Sequence, residues 1–261
     1  MIHTHLYSSP NKTVGLEFRN QMVETKISRC YSKNQHLSDV IPPGYWRGRR
    51  CFILGGGPSL QGFNFSILDK ELTIGINKTF EYYSSTINYS MDSGLYDKII
   101  NNELDAFAGM DVLSKWKSFK GIRVFITPIA MKEFGNEVYT IKKTLSKVVN
   151  QTLDEGVYGG CNSGTGAIAL AATLGANPIY LLGYDMKANT RTHWHCGYAN
   201  RDMNHFRGKL NQYCAEIEKF APILEEKGIK VVNLNEDSNL RCFVFDNLKN
   251  VLKESNNAHL Q

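Results

Sequence analysis

The chain has 261 residues, 42% of them hydrophobic and 21% charged, enough for one large α/β domain, or one domain plus a small appendage, with an ordinary buried core. The net charge of +5 suits a nucleotide or nucleic-acid ligand without demanding one, and no dense Lys/Arg run with interleaved aromatics marks a dedicated nucleic-acid module. No apolar run nears the roughly 18 residues of a membrane span, the start at Met1 is polar, and the six cysteines are scattered without a Cys-x-x-Cys, so a cytoplasmic protein with reduced thiols and no membrane partner is expected.

Residues 1–45 lack periodicity and end in Ile41-Pro42-Pro43-Gly44. They read as an irregular N-terminal extension, packed on the domain or serving as a subunit-contact arm in a homo-oligomer. A nucleotide-binding catalytic domain is expected over 46–255. Residues 51–54 form a short apolar run, the pattern of a buried strand, which stops at Gly55-Gly56-Gly57. Pro58 and Ser59 then open a helix. Strands are expected at 72–77, 87–92 and 123–127, with helical segments at 78–84 and near 94–101. Residues 138–149 read as a lid or a small helix. Residues 163–174 form an Ala-rich helix fit for tight packing on a sheet, and 178–183 a buried strand. A long helix over 209–226 carries apolar residues at Leu210, Tyr213, Ile217, Phe220, Ala221 and Leu224. Residues 229–234 close the sheet as its last strand. This βαβα order predicts an α/β fold: a Rossmann-like, doubly wound, mostly parallel sheet.

A strand, a Gly-rich turn and a helix start make an anion site, because glycines let backbone N–H groups approach a phosphate and the helix dipole favours negative charge. Gly55, Gly56, Gly57 and Ser59 are therefore nucleotide-binding candidates. The stretch is not the dinucleotide fingerprint, since Leu60 stands where the third glycine would be, and no Gly-Lys-Ser/Thr makes it a Walker loop. A plain βα turn without a ligand is the competing reading. A second Gly-rich turn, residues 158–166, precedes the Ala-rich helix, with Asn162 and Ser163 as N-cap candidates. Together the two turns could clamp a diphosphate; alternatively Gly164 and Gly166 serve close helix–sheet packing. Ligands in such sheets bind beyond the C-terminal strand ends. Gly55, Asn77, Asp92 and the Gly183-Tyr184-Asp185 run sit at four such ends and are expected to converge on one crevice.

Residues 187–206 form a long polar loop rich in aromatics and histidines, the size of a functional, lid-like segment. His193, His195, Cys196 and His205 match no common zinc spacing, so no metal site is assigned. An imidazole beside an anionic crevice is a candidate general base; His205, just before the long helix, is the first choice and His195 the second.

Gly-Gly-Gly-Pro-Ser-Leu at 55–60, Asn77, Asn-Ser-Gly at 162–164 with the Ala-rich helix, and Ile-Tyr-Leu-Leu-Gly-Tyr-Asp at 179–185 resemble one superfamily. It holds bacterial sialyltransferases, motility-associated-factor glycosyltransferases and archaeal-type 6-hydroxymethylpterin pyrophosphokinases. Uncharacterised tailed-phage proteins are similar, including in the Tyr-Trp-Arg-Gly-Arg lead-in at 45–49. The resemblance covers roughly residues 46–235. It implies nucleotide-sugar contacts by Gly55, Gly57, Ser59 and Asn77, further site positions at Ser163, Gly164, Gly183 and Asp185, and a catalytic His whose counterpart by position is His205. Asp92 stands where the sialyltransferases carry Asn; a carboxylate there would repel a donor carboxylate or hold a metal ion. No membrane-associating tail like that of those enzymes is expected, and so no membrane partner.

The resemblance implies a glycosyltransferase that moves a sugar from a nucleotide-activated donor to a hydroxyl acceptor, with no cofactor required. A modified DNA base or another polymer is a conceivable acceptor, and a phage-encoded protein would act in the host cytoplasm. The alternative within the superfamily is a pyrophosphokinase, which needs Mg2+, with Asp92 and Asp185 as its ligands. A nucleotide-binding protein without turnover is the reading from another class.

Overall fold

The computed structural model describes residues 34–104, 111–127, 132–188, 190–195 and 202–258. Most of the expected N-terminal extension, together with Cys30 and Cys196, lies outside these. The described strands are β1 (Gln35–His36), β2 (Cys51–Leu54), β3 (Leu72–Ile76), β4 (Ile87–Ser90), β5 (Ile122–Thr127), β6 (Val138–Thr144), β7 (Val157–Tyr158), β8 (Ile179–Leu182), β9 (Val231–Asn233) and β10 (Val244–Phe245). The described helices are α1 (Ser93–Ile100), α2 (Val112–Ser118), α3 (Ser163–Thr173), α4 (Met203–Glu226) and α5 (Leu248–Ala258).

The strands make one sheet in the order β1-β6-β5-β4-β3-β2-β8-β9-β10, with β7 beside β6. Every pairing in it is parallel. The chain leaves β2 toward β3 and later returns through α3 to β8 on β2's other side. This reversal is the topological switch point, where the loops part and a ligand crevice opens.

Side-chain alternation explains the layers. Cys51 and Ile53 of β2, Ile179 and Leu181 of β8, and Val124 and Ile126 of β5 face one core with α3 and with Ile217, Phe220 and Leu224 of α4. Phe52, Leu54, Tyr180 and Leu182 face the other side, where Val251 of α5 and Trp194 cover them. Phe125 on that side is covered by Tyr96 of α1 and Trp116 of α2. Strands buried on both faces are near-continuous apolar runs, which is why these segments show as strands in the sequence.

Five expectations are corrected. Residues 138–144 are neither lid nor helix but β6, an interior strand between β1 and β5; Val138, Thr140 and Ile141 are buried, and β-branched residues suit that surface. Pro58 and Ser59 open no α-helix, only a three-residue 3₁₀ turn (Pro58–Leu60). The segment after β3 is likewise a 3₁₀ turn, Asn77–Glu81. The long helix begins at Met203, capped by Asp202, whose side chain accepts from the N–H groups of Asn204 and His205. The strand near 231 is not the last, since β10 pairs beyond it. Residues 34–45 contribute β1 and the buried Leu37 and Ile41 to the sheet and core, so this part of the expected extension is built into the domain.

Candidate functional site

The ends of β2, β3, β4 and β8 do converge. They floor a crevice of about 480 Å³ that is walled by α3's first turn, by α4 and by Lys187, Thr192, His193 and His195. Gly55, Gly56, Gly57, Asn77, Asp92, Asn162, Ser163, Gly164, Gly183, Tyr184 and Asp185 all line it, and among the expected site residues Ser59 and His205 do not.

The first Gly-rich turn has little left to offer a phosphate. The N–H of Gly55 donates to the Leu182 carbonyl (2.7 Å) and that of Gly57 to the Gly183 carbonyl (2.8 Å). The Ser59 N–H donates to Asp185 Oδ2 (2.8 Å) and its hydroxyl to Oδ1 (2.5 Å). Asn235 Nδ2 donates to Oδ1 as well (2.9 Å). The turn thus already holds an anion, the 4%-exposed carboxylate of Asp185. Of its N–H groups, that of Gly56 alone has no acceptor among the described residues. A Cβ on Gly57 would lie 2.5 Å from the Asp185 carboxyl carbon, so glycine here makes room for the carboxylate, not for a ligand.

Trp194 seals the turn from above. Its indole donates to the Gly55 carbonyl (2.9 Å) and its backbone N–H to the Gly56 carbonyl (3.1 Å). The ring packs against Phe65 and Tyr82. This anchor sets the neighbouring histidines over the crevice. His193 lies against Gly56, where a Cβ would come within 2.7 Å of its Cδ2, and packs on Phe206. His195 stacks on Tyr82 and sits 5.2 Å from His193, centroid to centroid.

The second turn differs. Asn162 caps α3 by accepting from the Thr165 N–H (2.9 Å). The N–H groups of Ser163 and Gly164 find no acceptor among the described residues and open on the crevice. An eleven-residue helix stands behind them, so the dipole adds to their pull on an anion. Beside them, Asn77 Oδ1 accepts from the hydroxyls of Ser90 (2.8 Å) and Ser163 (3.2 Å). With its oxygen so engaged, the Asn77 amide, which lines the crevice, has its NH₂ left as the donor group. Asn77 holds a left-handed backbone, φ 52, a conformation Asn tolerates well.

Tyr184 wedges between the two turns. It is buried; a Cβ on Gly55 would lie 3.1 Å from its ring and one on Gly164 3.2 Å. Its hydroxyl donates to the Gly164 carbonyl (3.0 Å), and burial pushes the phenol well above its ordinary range. Gly166, two residues further, lets α3 approach Tyr89 of β4.

Asp92 is exposed and caps α1, its Oδ1 accepting from the Leu95 N–H (3.3 Å). It lies near the α3 N-terminus through a chain of contacts: the N–H of Asp92 donates to the Ser90 hydroxyl, and that of Met91 to the Ser163 hydroxyl. His205 is misplaced for the role expected of it. It lies exposed in α4's first turn, outside the crevice lining. Asp202 starts α4 earlier than the sequence pattern indicates, and that turns His205 away. Among the described residues no group of three His, Cys, Asp or Glu side chains stands ready to hold a metal ion. No described helix is long and apolar enough to cross a membrane.

No protein-family model and no curated protein matches this chain. Among solved structures it is similar to a MAf glycosyltransferase from Magnetospirillum magneticum AMB-1, at 12% identity and a TM-score of 0.46, over 97% of this chain and 45% of that one. The chain therefore spans less than half of that neighbour's length.

The wall formed by α4 is not legible in the sequence. Phe206, Lys209, Leu210 and Tyr213 line the crevice, and their spacing of three, four and seven residues puts them on one helix face. Periodicity marks Leu210 and Tyr213 as core positions only, and the stripe's first two members lie at or before the expected helix start.

Proposed function

We propose that the chain is a glycosyltransferase that transfers a sugar from a nucleotide-activated donor to a hydroxyl acceptor. The observation that carries this reading is the crevice at the switch point. It offers the unfilled N–H groups of Ser163 and Gly164 and the Asn77 amide on one side, and two imidazoles on the other. In this reading the donor phosphate lies at the start of α3, where developing charge on the leaving nucleotide meets fixed N–H donors. The acceptor oxygen forms its bond to the anomeric carbon as the carbon–phosphate-oxygen bond breaks. The nucleotide departs with that electron pair, and His193 takes the acceptor's proton. The motif resemblance at 162–185 supports the same assignment.

A magnesium-dependent pyrophosphokinase fits these residues less well. Asp185, one of its two expected ligands, has its oxygens engaged by Ser59 and Asn235, which leaves Asp92 without its partner. The test is incubation of the protein with a panel of nucleotide sugars and ATP, with and without chelator, read by mass spectrometry. Nucleotide released from a sugar donor in excess chelator supports the proposal; diphosphate transfer from ATP that needs magnesium overturns it. His193→Ala should lower turnover by about 10² to 10⁴ while His205→Ala leaves it nearly unchanged. The reverse pattern would return the base to α4, and loss in His195→Ala alone would shift it two residues along the loop.

A further inference from the structure

We infer that Lys209 is the phosphate-binding cation of the crevice. The inference rests on the reading above in taking the ligand to be a nucleotide.

A nucleotide brings at least one full negative charge, and the donors on the α3 side are all neutral. Two cationic side chains line the crevice among the described residues, Lys187 and Lys209. Lys187 faces the carboxylate of Asp237 at 3.9 Å. Lys209 has no acidic partner and no hydrogen-bond acceptor among the described residues. Arg207, one helix face away, is turned aside and donates through Nε to the Ala188 carbonyl (2.9 Å). Asp185, the acidic group at the β8 end, has its oxygens occupied by Ser59 and Asn235, and Asp92, which also lines the crevice at the end of β4, caps α1 through Oδ1. Neither carboxylate forms an ion pair with Lys209 among the described residues.

Position favours the same assignment. Lys209 stands between Phe206, which is 5% exposed, and Leu210 and Tyr213, which pack on the core. Lys209 is exposed and lines the crevice, and on such a stripe a lysine can lay its stem along apolar surface while its ammonium stays in water. A phosphate there would meet fixed N–H groups from α3 and a mobile charge from α4. A lysine suits a group that must be held and then released. Lys219, further along α4 and exposed, does not line the crevice and provides the control.

The experiment is calorimetric titration of the full chain, in chelator, with CMP, UDP, GDP and ADP and with the matching nucleosides. Lys209→Gln should weaken binding of the nucleotide that the parent prefers by about tenfold or more, the loss of one charge-assisted hydrogen bond. Lys209→Arg should bind within about threefold of the parent because the charge is kept. Lys219→Gln should bind as the parent does, and nucleoside binding should not change in any variant. Parent-like nucleotide binding by Lys209→Gln overturns the inference, as does equal weakening of nucleoside and nucleotide, or a parent that binds none of the four. If Lys209→Gln loses nucleotide while the parent turns over no nucleotide sugar, the inference stands and the glycosyltransferase reading falls.

Discussion

Among the described residues, every N–H from Gly55 to Ser59 at the first glycine-rich turn except that of Gly56 has an acceptor inside the protein, whereas at the second those of Ser163 and Gly164 have none. Both turns come after strands and both are rich in glycine. They differ in the element each runs into and in the side chain each one faces. The first runs into a three-residue 3₁₀ turn and meets the Asp185 carboxylate. The second runs into α3 and meets the amide of Asn77. A glycine-rich βα turn becomes an anion site only when it leads into a helix long enough to carry a dipole and no carboxylate of the protein takes its donors. The first turn instead fixes Trp194, and through it holds the two imidazoles at the crevice, with His193 against Gly56.

Removing the internal anion should break this division most severely. Asp185→Ala leaves the Ser59 N–H, the Ser59 hydroxyl and the Asn235 amide without their acceptor. We expect a stability loss of about 3 to 5 kcal/mol, measured by denaturant unfolding. A loss under about 1 kcal/mol would mean that the carboxylate does not hold the turn. Next come the glycines themselves. Gly57→Ala sets a Cβ against the Asp185 carboxyl group and, at 2.6 Å, the Gly183 carbonyl; overpacking against backbone should cost about 3 kcal/mol. Gly164→Ala meets the end of the Asn162 side chain at 2.8 Å and the Tyr184 ring at 3.2 Å. Both can yield, and alanine favours the helix, so about 1 kcal/mol or less is expected. Equal costs at the two sites, read from melting temperatures, would erase the distinction between them.

The smallest effect concerns the link between the turns. Tyr184→Phe keeps the wedge but deletes the hydroxyl bond to Gly164, at a cost of about 1 kcal/mol. Because burial raises this phenol in the folded state, its contribution is complete below the unfolded value near 10 and is lost as pH climbs above it. The variant should therefore lose less melting temperature than the parent between about pH 8 and about pH 10.5. An equal loss would show that Tyr184 ionises as freely in the fold as outside it.

The sequence made the central strands plain because burial on both faces demands continuous apolar runs, as at 51–54 and 179–182. α3 was equally legible from its alanines and its Asn162 cap. The two-residue strands β1, β7 and β10 carry no pattern, and β6 carries Lys142 and Lys143 just before its end at Thr144, which breaks its apolar run. The start of α4 was missed because Asp202 and Asn204 read as loop until the cap geometry is known.

The sequence by itself determined the doubly wound α/β class and the strand ends that meet in the crevice, because both depend on local hydrophobic periodicity and on where chain reversals fall. Only the tertiary structure decided which glycine-rich turn keeps its donors, since that depends on Asp185 reaching back 126 residues to Ser59. It also decided that Lys209 faces the crevice and His205 does not, because helix phase is set by a cap and by packing, and neither is written in residue spacing alone.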